Sequence, residues 1–203
     1  MKKDRIVYRG AIGIFLISIL VIAYASYQII YSKNKVKKNL GILDSIERDK
    51  NIKNSSGDTG SNQTKVQEDI YSNHGIMGKL IIERTKKVLP IVEGTTEDKL
   101  KSGAGHYEHS FAPGESGNCV IFGHRDGVFS NLEEVKINDI ITIETDKGKF
   151  IYKVISTEIT EPKEEEVIKE CNEAMLTLVT CYPFGYVGSA PKRFIVVAKL
   201  GFK

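Results

Sequence analysis

One unbroken apolar run sits near the N-terminus, and short apolar stretches separated by turns fill the second half of the chain. Gly10 to Tyr31, GAIGIFLISILVIAYASYQIIY, contains no charge. At about 1.5 Å per residue it is long enough to cross a bilayer as a helix. Lys2, Lys3, Arg5 and Arg9 precede it, and Lys33, Lys35, Lys37 and Lys38 follow it, so the flanking charge leaves its orientation open. The short N-terminal tail makes N-in, C-out the simpler arrangement. Ala23-Tyr24-Ala25 has the small-x-small form of a signal-peptidase site. The run continues past it through Ile29 and Ile30, which suits an uncleaved anchor better. On this reading residues 1–9 are a cytoplasmic tail and residues 10–31 a transmembrane anchor. With or without cleavage, the remainder is expected outside the cytoplasm.

Residues 32–74 are polar and charged, with NSSGDTGSNQT near their centre. So little apolar surface cannot offset ordering entropy, and a flexible tether is expected, with at most a short helix over 40–46. From Gly75 the pattern becomes that of a domain over residues 75–203. Strands are expected at 76–83, 89–93, 118–124, 139–145, 149–159, 174–179 and 193–200. Asp146-Lys147-Gly148 reads as a hairpin turn. Residues 95–101 read as a helical turn capped by Thr95 or Thr96, with Glu97 or Asp98 in its first turn. Residues 128–135 read as a short helix, 103–117 as loop, 161–171 as loop with some helix, and 182–191 as a turn-rich loop. Many short strands with few helices point to a small β-barrel or sandwich.

The net charge of +3 is modest and the basic residues are dispersed, so no nucleic-acid footprint is present. Cys119, Cys171 and Cys181 form an odd set, leaving at least one free thiol outside the cytoplasm. There is no Cys-x-x-Cys pair and the four histidines lack zinc-ligand spacing, so neither a metal nor a cofactor is expected. His106 and His109 lie in the expected loop, without further ligands at hand. His124-Arg125-Asp126 matches a protein-kinase fragment, but no Asp-Phe-Gly or glycine-rich loop accompanies it.

Three strand ends each present one chemically useful side chain: His124, Cys181 and Arg193. A thiol needs a base or cation beside it to act as a nucleophile, and attack on an amide carbonyl needs donors where the oxyanion develops. By strand alternation Phe122 shares a face with His124, Val179 with Cys181, and Ile195 with Arg193. If the three ends converge, Phe122, Val179 and Ile195 floor an apolar groove suited to an extended peptide. The plainer reading stays beside this one. Cysteine is among the most buried residue types, and Cys181 could be a core thiol, as Cys119 within CVIF is expected to be.

Thr177-Leu178-Val179-Thr180-Cys181 resembles the TLxTC signature of sortases, the cysteine transpeptidases of Gram-positive cell surfaces. Gly123-His124-Arg125-Asp126 resembles the family's histidine motif, and Lys192 to Val197 its arginine strand. The order His, Cys, Arg agrees. This resemblance implies an eight-stranded sortase β-barrel behind one N-terminal transmembrane helix. It implies cleavage of an LPxTG-like sorting signal through a Cys181 thioester, with transfer to an amine of peptidoglycan. His124 would be proton carrier, Arg193 would hold the peptide and stabilise the oxyanion, and Thr180 would contact oxyanion or substrate. Cys181-Tyr182-Pro183-Phe184 with Ala190-Pro191-Lys192-Arg193 looks most like class D, which loosens the fifth signal position beyond Gly. Calcium sites of some class A members precede the histidine strand, where this chain offers only Glu108 and Glu115. The alternatives are a cysteine peptidase that only hydrolyses, or a non-catalytic anchored β-domain that binds a surface partner.

Overall fold

A computed structural model describes residues 2–54, 75–162, 171–186 and 188–202. Eight strands close a barrel: β1 (Ile76–Ile82), β2 (Lys87–Glu93), β3 (Ala104–His106), β4 (Gly117–Phe122), β5 (Ile140–Thr145), β6 (Gly148–Thr160), β7 (Ala174–Tyr182) and β8 (Lys192–Phe202). Around the barrel the order is β1-β2-β3-β4-β7-β8-β6-β5. β2 with β3 and β4 with β7 are parallel pairs, and the remaining pairs are antiparallel. Closure leaves the sheet without free edges.

Alternation explains the interior. Leu80 and Ile82 of β1, Ile141 and Ile143 of β5, Leu176 and Leu178 of β7, and Val196 and Ala198 of β8 occupy every second position and are fully or almost fully buried. Tyr152 of β6 is buried among them, and its hydroxyl accepts the Gly114 N–H at 2.8 Å, which satisfies a polar atom water cannot reach. The β5–β6 hairpin turns at 146–147, as its composition requires.

Outside the barrel, α1 (Lys2–Asn54) is one continuous helix, and α2 (Glu97–Leu100) is a single turn with Thr96 at its N-cap position. Ile14, Phe15, Leu20, Ile22 and Ile29 are all exposed, an apolar surface compatible with association with a membrane. Beyond that segment, Leu43 and Ile46 are buried. Leu43 packs with Ile76 and Val92 of the barrel.

Four expectations change. The first part of the presumed flexible tether, residues 32–54, is helix, and Val36, Leu40 and Leu43 fall on one helical face that docks on the barrel, with Ile46 also buried on that face. Residues 55–74, the rest of that tether, lie outside the described residues. Loop 103–117 contains β3, a strand without an apolar pattern, held by pairing of Ile91 with Ala104 and of His106 with Ile121. Residues 128–135 form turns and one 3-10 turn at Leu132–Glu134 rather than a longer helix, and Phe129 and Leu132 point into the core. The histidine strand stops at Phe122, and Gly123 just beyond it closes against the Phe129 ring: a Cβ there would lie 2.4 Å from Phe129 Cδ2. Residues 163–170, within the 161–171 segment, lie outside the described residues.

Arg84 ties the β1–β2 turn to the start of β5, donating from Nε and Nη2 to the two carboxylate oxygens of Asp139 at 2.8 and 2.6 Å. That guanidinium, with help from the Lys136 N–H, holds the Asp139 carboxyl below its usual range. A depressed folded-state pKa stabilises the fold above the ordinary carboxylate pKa of about 4, and that contribution fades as pH falls through the lowered value. Arg84→Ala is therefore expected to lower Tm at pH 7 and to flatten its decline between about pH 4 and pH 2, followed by thermal melts. Parallel pH curves for the two proteins would count against this pairing.

Candidate active site

Strand register assembles the site from distant segments. Phe122 lies opposite Val179 in the β4–β7 pair, and Val179 lies opposite Ile195 in the β7–β8 pair. On this outer face Val120, Val179 and Ile195 form a small buried cluster, with Tyr107, Phe122 and Val197 packed against it. One pleat further, Cys181 faces Arg193 across the strands. Two residues past Phe122 comes His124, in the connection that follows β4. Alternation sets Cys181 on the side of Val179, and Arg193 on the side of Ile195.

Thr180 turns the other way, toward the interior with Leu178. It is 2% exposed, and its hydroxyl donates to the Gly123 carbonyl at 2.7 Å. The Gly123 N–H in turn donates to Val179 O at 3.1 Å. These two bonds sew the end of β4 to the end of β7 directly beside His124 and Cys181. The hydroxyl expected on an oxyanion or substrate is thus committed to an inter-strand link.

The three thiols are free and stand in different surroundings. Cys119 is buried in the core, where desolvation pushes its thiol far above the usual range and leaves it inert. Cys171 is part-exposed and its S–H donates to Glu173 O at 3.2 Å. Cys181 is part-exposed near the end of β7, one residue before its last residue, Tyr182. The Arg193 guanidinium leans on its own loop, donating from Nη1 to Lys192 O at 3.0 Å and Ala190 O at 3.4 Å.

Arg125, part of the Gly123-His124-Arg125-Asp126 motif but given no role of its own there, has a definite place. It donates from Nη1 to Pro183 O at 3.1 Å, and from Nη2 to Tyr186 O and Gly188 O at 2.8 Å each. It also lies over the Tyr186 ring, 5.7 Å from its centroid. The residue after His124 therefore ties down the loop after Cys181, using a planar fork that three carbonyls can share. Arg125→Ala is expected to loosen residues 183–188, seen as faster amide hydrogen exchange there, and to lower kcat/KM roughly tenfold with Tm nearly unchanged. Unaltered exchange at Tyr186 would remove the clamp argument. Tyr107 and Val120 were also missed. Val120 follows from the alternation that marked Phe122, but Tyr107 lies in a stretch with no strand-like pattern.

His106 is a structural residue. It is buried on β3, with Nδ1 3.1 Å from both Glu93 carboxylate oxygens and Nε2 3.0 Å from the Phe111 carbonyl. Among the described residues no cluster of His, Cys, Asp and Glu could hold a metal ion. Glu115 accepts the Ala112 N–H at 3.0 Å within its own turn.

The closed eight-stranded barrel sets Cys181 opposite Arg193 at the ends of two neighbouring strands, with His124 two residues past the end of a third. Residues 80–201 match the family model of the sortase domain, and the chain belongs to the sortase family of cysteine transpeptidases. It is 33% identical over 198 residues to sortase D of Bacillus subtilis (strain 168), spanning 94% of this chain and 98% of that protein. Among solved structures it is similar to a sortase D5 transpeptidase of Clostridium perfringens, at 26% identity and a TM-score of 0.64. That match covers 85% of this chain and 99% of the other. Sortase C-1 of Streptococcus pneumoniae matches at 27% identity and a TM-score of 0.59, covering 64% and 69%. The likeness to class D read from the cysteine and arginine motifs agrees with the first two.

Proposed function

We propose that this sortase is anchored by residues 10–31, with residues 1–9 in the cytoplasm, and carries a catalytic domain at residues 75–203 on the outer side of the membrane. It cleaves an LPxTG-like sorting signal of secreted proteins and joins the new carboxyl end to an amine of peptidoglycan. The observation that carries this reading is the register that sets Cys181 opposite Arg193, one pleat beyond the Phe122–Val179–Ile195 row.

The chemistry follows from those positions. Cys181 thiolate attacks the carbonyl carbon of the Thr–Gly bond, and electrons move onto the carbonyl oxygen, where the Arg193 guanidinium meets the developing charge. Collapse of that intermediate breaks the C–N bond, and His124 gives its proton to the leaving amine. The incoming amine then attacks the thioester, loses its proton to His124, and expels the Cys181 thiolate. Phe122, Val179 and Ile195 supply the apolar side of the peptide groove. Thr180 acts by holding the β4 and β7 ends together. Water in place of the amine gives hydrolysis as the slower side reaction.

The test uses the full chain in detergent or nanodiscs, with quenched LPxTG- and LPxTA-type peptides and an added amine. Cleavage after Thr with an amide product that grows with amine concentration is expected, and the ratio of the two peptides ranks the fifth position. Hydrolysis alone at every amine concentration would replace the transpeptidase reading with a peptidase.

A further inference from the structure

Glu97 approaches the site from a direction that the barrel strands do not supply. A carboxylate oxygen of this α2 residue lies 3.6 Å from His124 Nε2 and another lies 3.3 Å from Lys101 Nζ. A separation of 3.6 Å is too long for a hydrogen bond but close enough for an ion pair, so a shift of about 0.5 Å decides whether a bond forms. Nε2 is itself buried and has no hydrogen-bond partner among the described residues. The His124 ring forms part of the wall of a cavity of about 670 Å³ between α1 and the barrel, shared with Val36, Leu40, Leu89 and Glu97. A buried ring nitrogen without a partner is costly, and Glu97 is the carboxylate placed to take it.

The position of α2 is set from α1. Ser32 Oγ donates to Lys101 O at 3.0 Å, and Asn39 Nδ2 donates to Ser102 O at 3.0 Å. Both carbonyls lie just past the end of α2, where backbone acceptors lack helical partners. Lys35 Nζ reaches Asp98 Oδ1 at 2.6 Å. That exposed pair contributes little alone but adds a third tie on the same turn. On its other side α2 rests against β3: a Cβ at Gly105 would lie 2.7 Å from Leu100 Cδ2. One turn of helix is thus gripped between α1 and the barrel, with Glu97 at its head.

We propose that Glu97 is the positioning residue for His124, and that α1 sets its position by clamping α2. The inference rests on the sortase reading of the site. With Nε2 turned into the cavity toward Glu97, Nδ1 is the ring nitrogen that exchanges protons with the leaving and entering amines. The carboxylate holds the ring in that orientation through both half-reactions, in the manner of the third group that orients a catalytic base.

The experiment compares full-chain wild type, Glu97→Gln, Glu97→Asp, Ser32→Ala/Asn39→Ala and the combination of the last pair with Glu97→Gln, under saturating amine. Glu97→Gln is expected to lower kcat roughly tenfold with KM within about twofold, since orientation of a bound proton carrier acts on the chemical step. Glu97→Asp should recover part of that loss. The α1 pair should lower kcat severalfold in wild type and leave the Glu97→Gln value unchanged, the non-additivity of groups acting through one another. A wild-type kcat for Glu97→Gln would overturn the inference. So would an α1 effect of equal size in both backgrounds, which means the helix acts by another route. Cys181→Ala is assayed alongside. Turnover in that variant would bring down the reading of the site itself, whereas a dead Cys181→Ala beside a fully active Glu97→Gln removes only the role of Glu97.

Discussion

Cys181→Ala is expected to abolish peptide cleavage and transfer, with a loss of at least about a thousandfold, while the domain melts within a few degrees of wild type. The reasoning starts from the three thiols. Cys119 is sealed in the barrel and Cys171 sits outside the strand ends, so neither can take over the nucleophile's work. Cys181 stands part-exposed at the end of β7, with Arg193 directly across. Its removal deletes one sulfur at an incompletely buried position and leaves no large void, so stability changes little. In the folded wild type, a thiol reagent should modify Cys181 rapidly and spare Cys119. Intact turnover in the alanine variant, or labelling of Cys119 at the same rate, would place the chemistry elsewhere.

The second large effect is expected at Arg193. Arg193→Ala should lower kcat by roughly a hundredfold to a thousandfold at saturating peptide, the size of loss that follows removal of an oxyanion donor. Arg193→Lys should recover only a minor part. The charge survives in that variant, but an ammonium is a point donor, and it cannot both lean on Lys192 O and Ala190 O and present further donors in a plane. A lysine variant with wild-type kinetics would reduce the role of Arg193 to charge alone. Since Arg193 sits on a strand whose neighbours Phe194 to Val196 are buried, thermal melts should accompany the kinetics, and Tm should hold.

Much of the barrel could be read from the chain because its strands alternate. Leu176 and Leu178 against Thr177 and Val179 give both the strand and its two faces, and the β5–β6 hairpin carries its turn in Asp146-Lys147-Gly148. The same alternation grouped Phe122, Val179 and Ile195 before any pairing was known. β3 escaped because Ala104-Gly105-His106 has no pattern of its own and becomes a strand through neighbours distant in sequence. The helix over 32–54 was misread although its signal was present. Val36, Leu40, Leu43 and Ile46 recur at helical spacing, but the lysines and asparagines between them drew the reading toward a solvated spacer. Glu97 and Arg125 could not have been singled out. Each is a charged residue in a turn, and its value comes from a histidine or a loop that the fold brings to it.

The unbroken run of α1 from its apolar half into its barrel-docking half also fixes geometry. The helix is already tied to the domain at Ser32, the residue after the apolar run ends at Tyr31, through its hydrogen bond to Lys101 O. With that run in a bilayer, the enzyme does not sweep a volume on a leash. On the anchored reading proposed above it would work at one height, close against the lipid surface, with one side of the barrel always turned the same way. Substrates that are themselves held in the membrane would then meet it by sliding laterally in two dimensions. Their reach from the lipid surface, as much as their affinity, would decide which of them are processed.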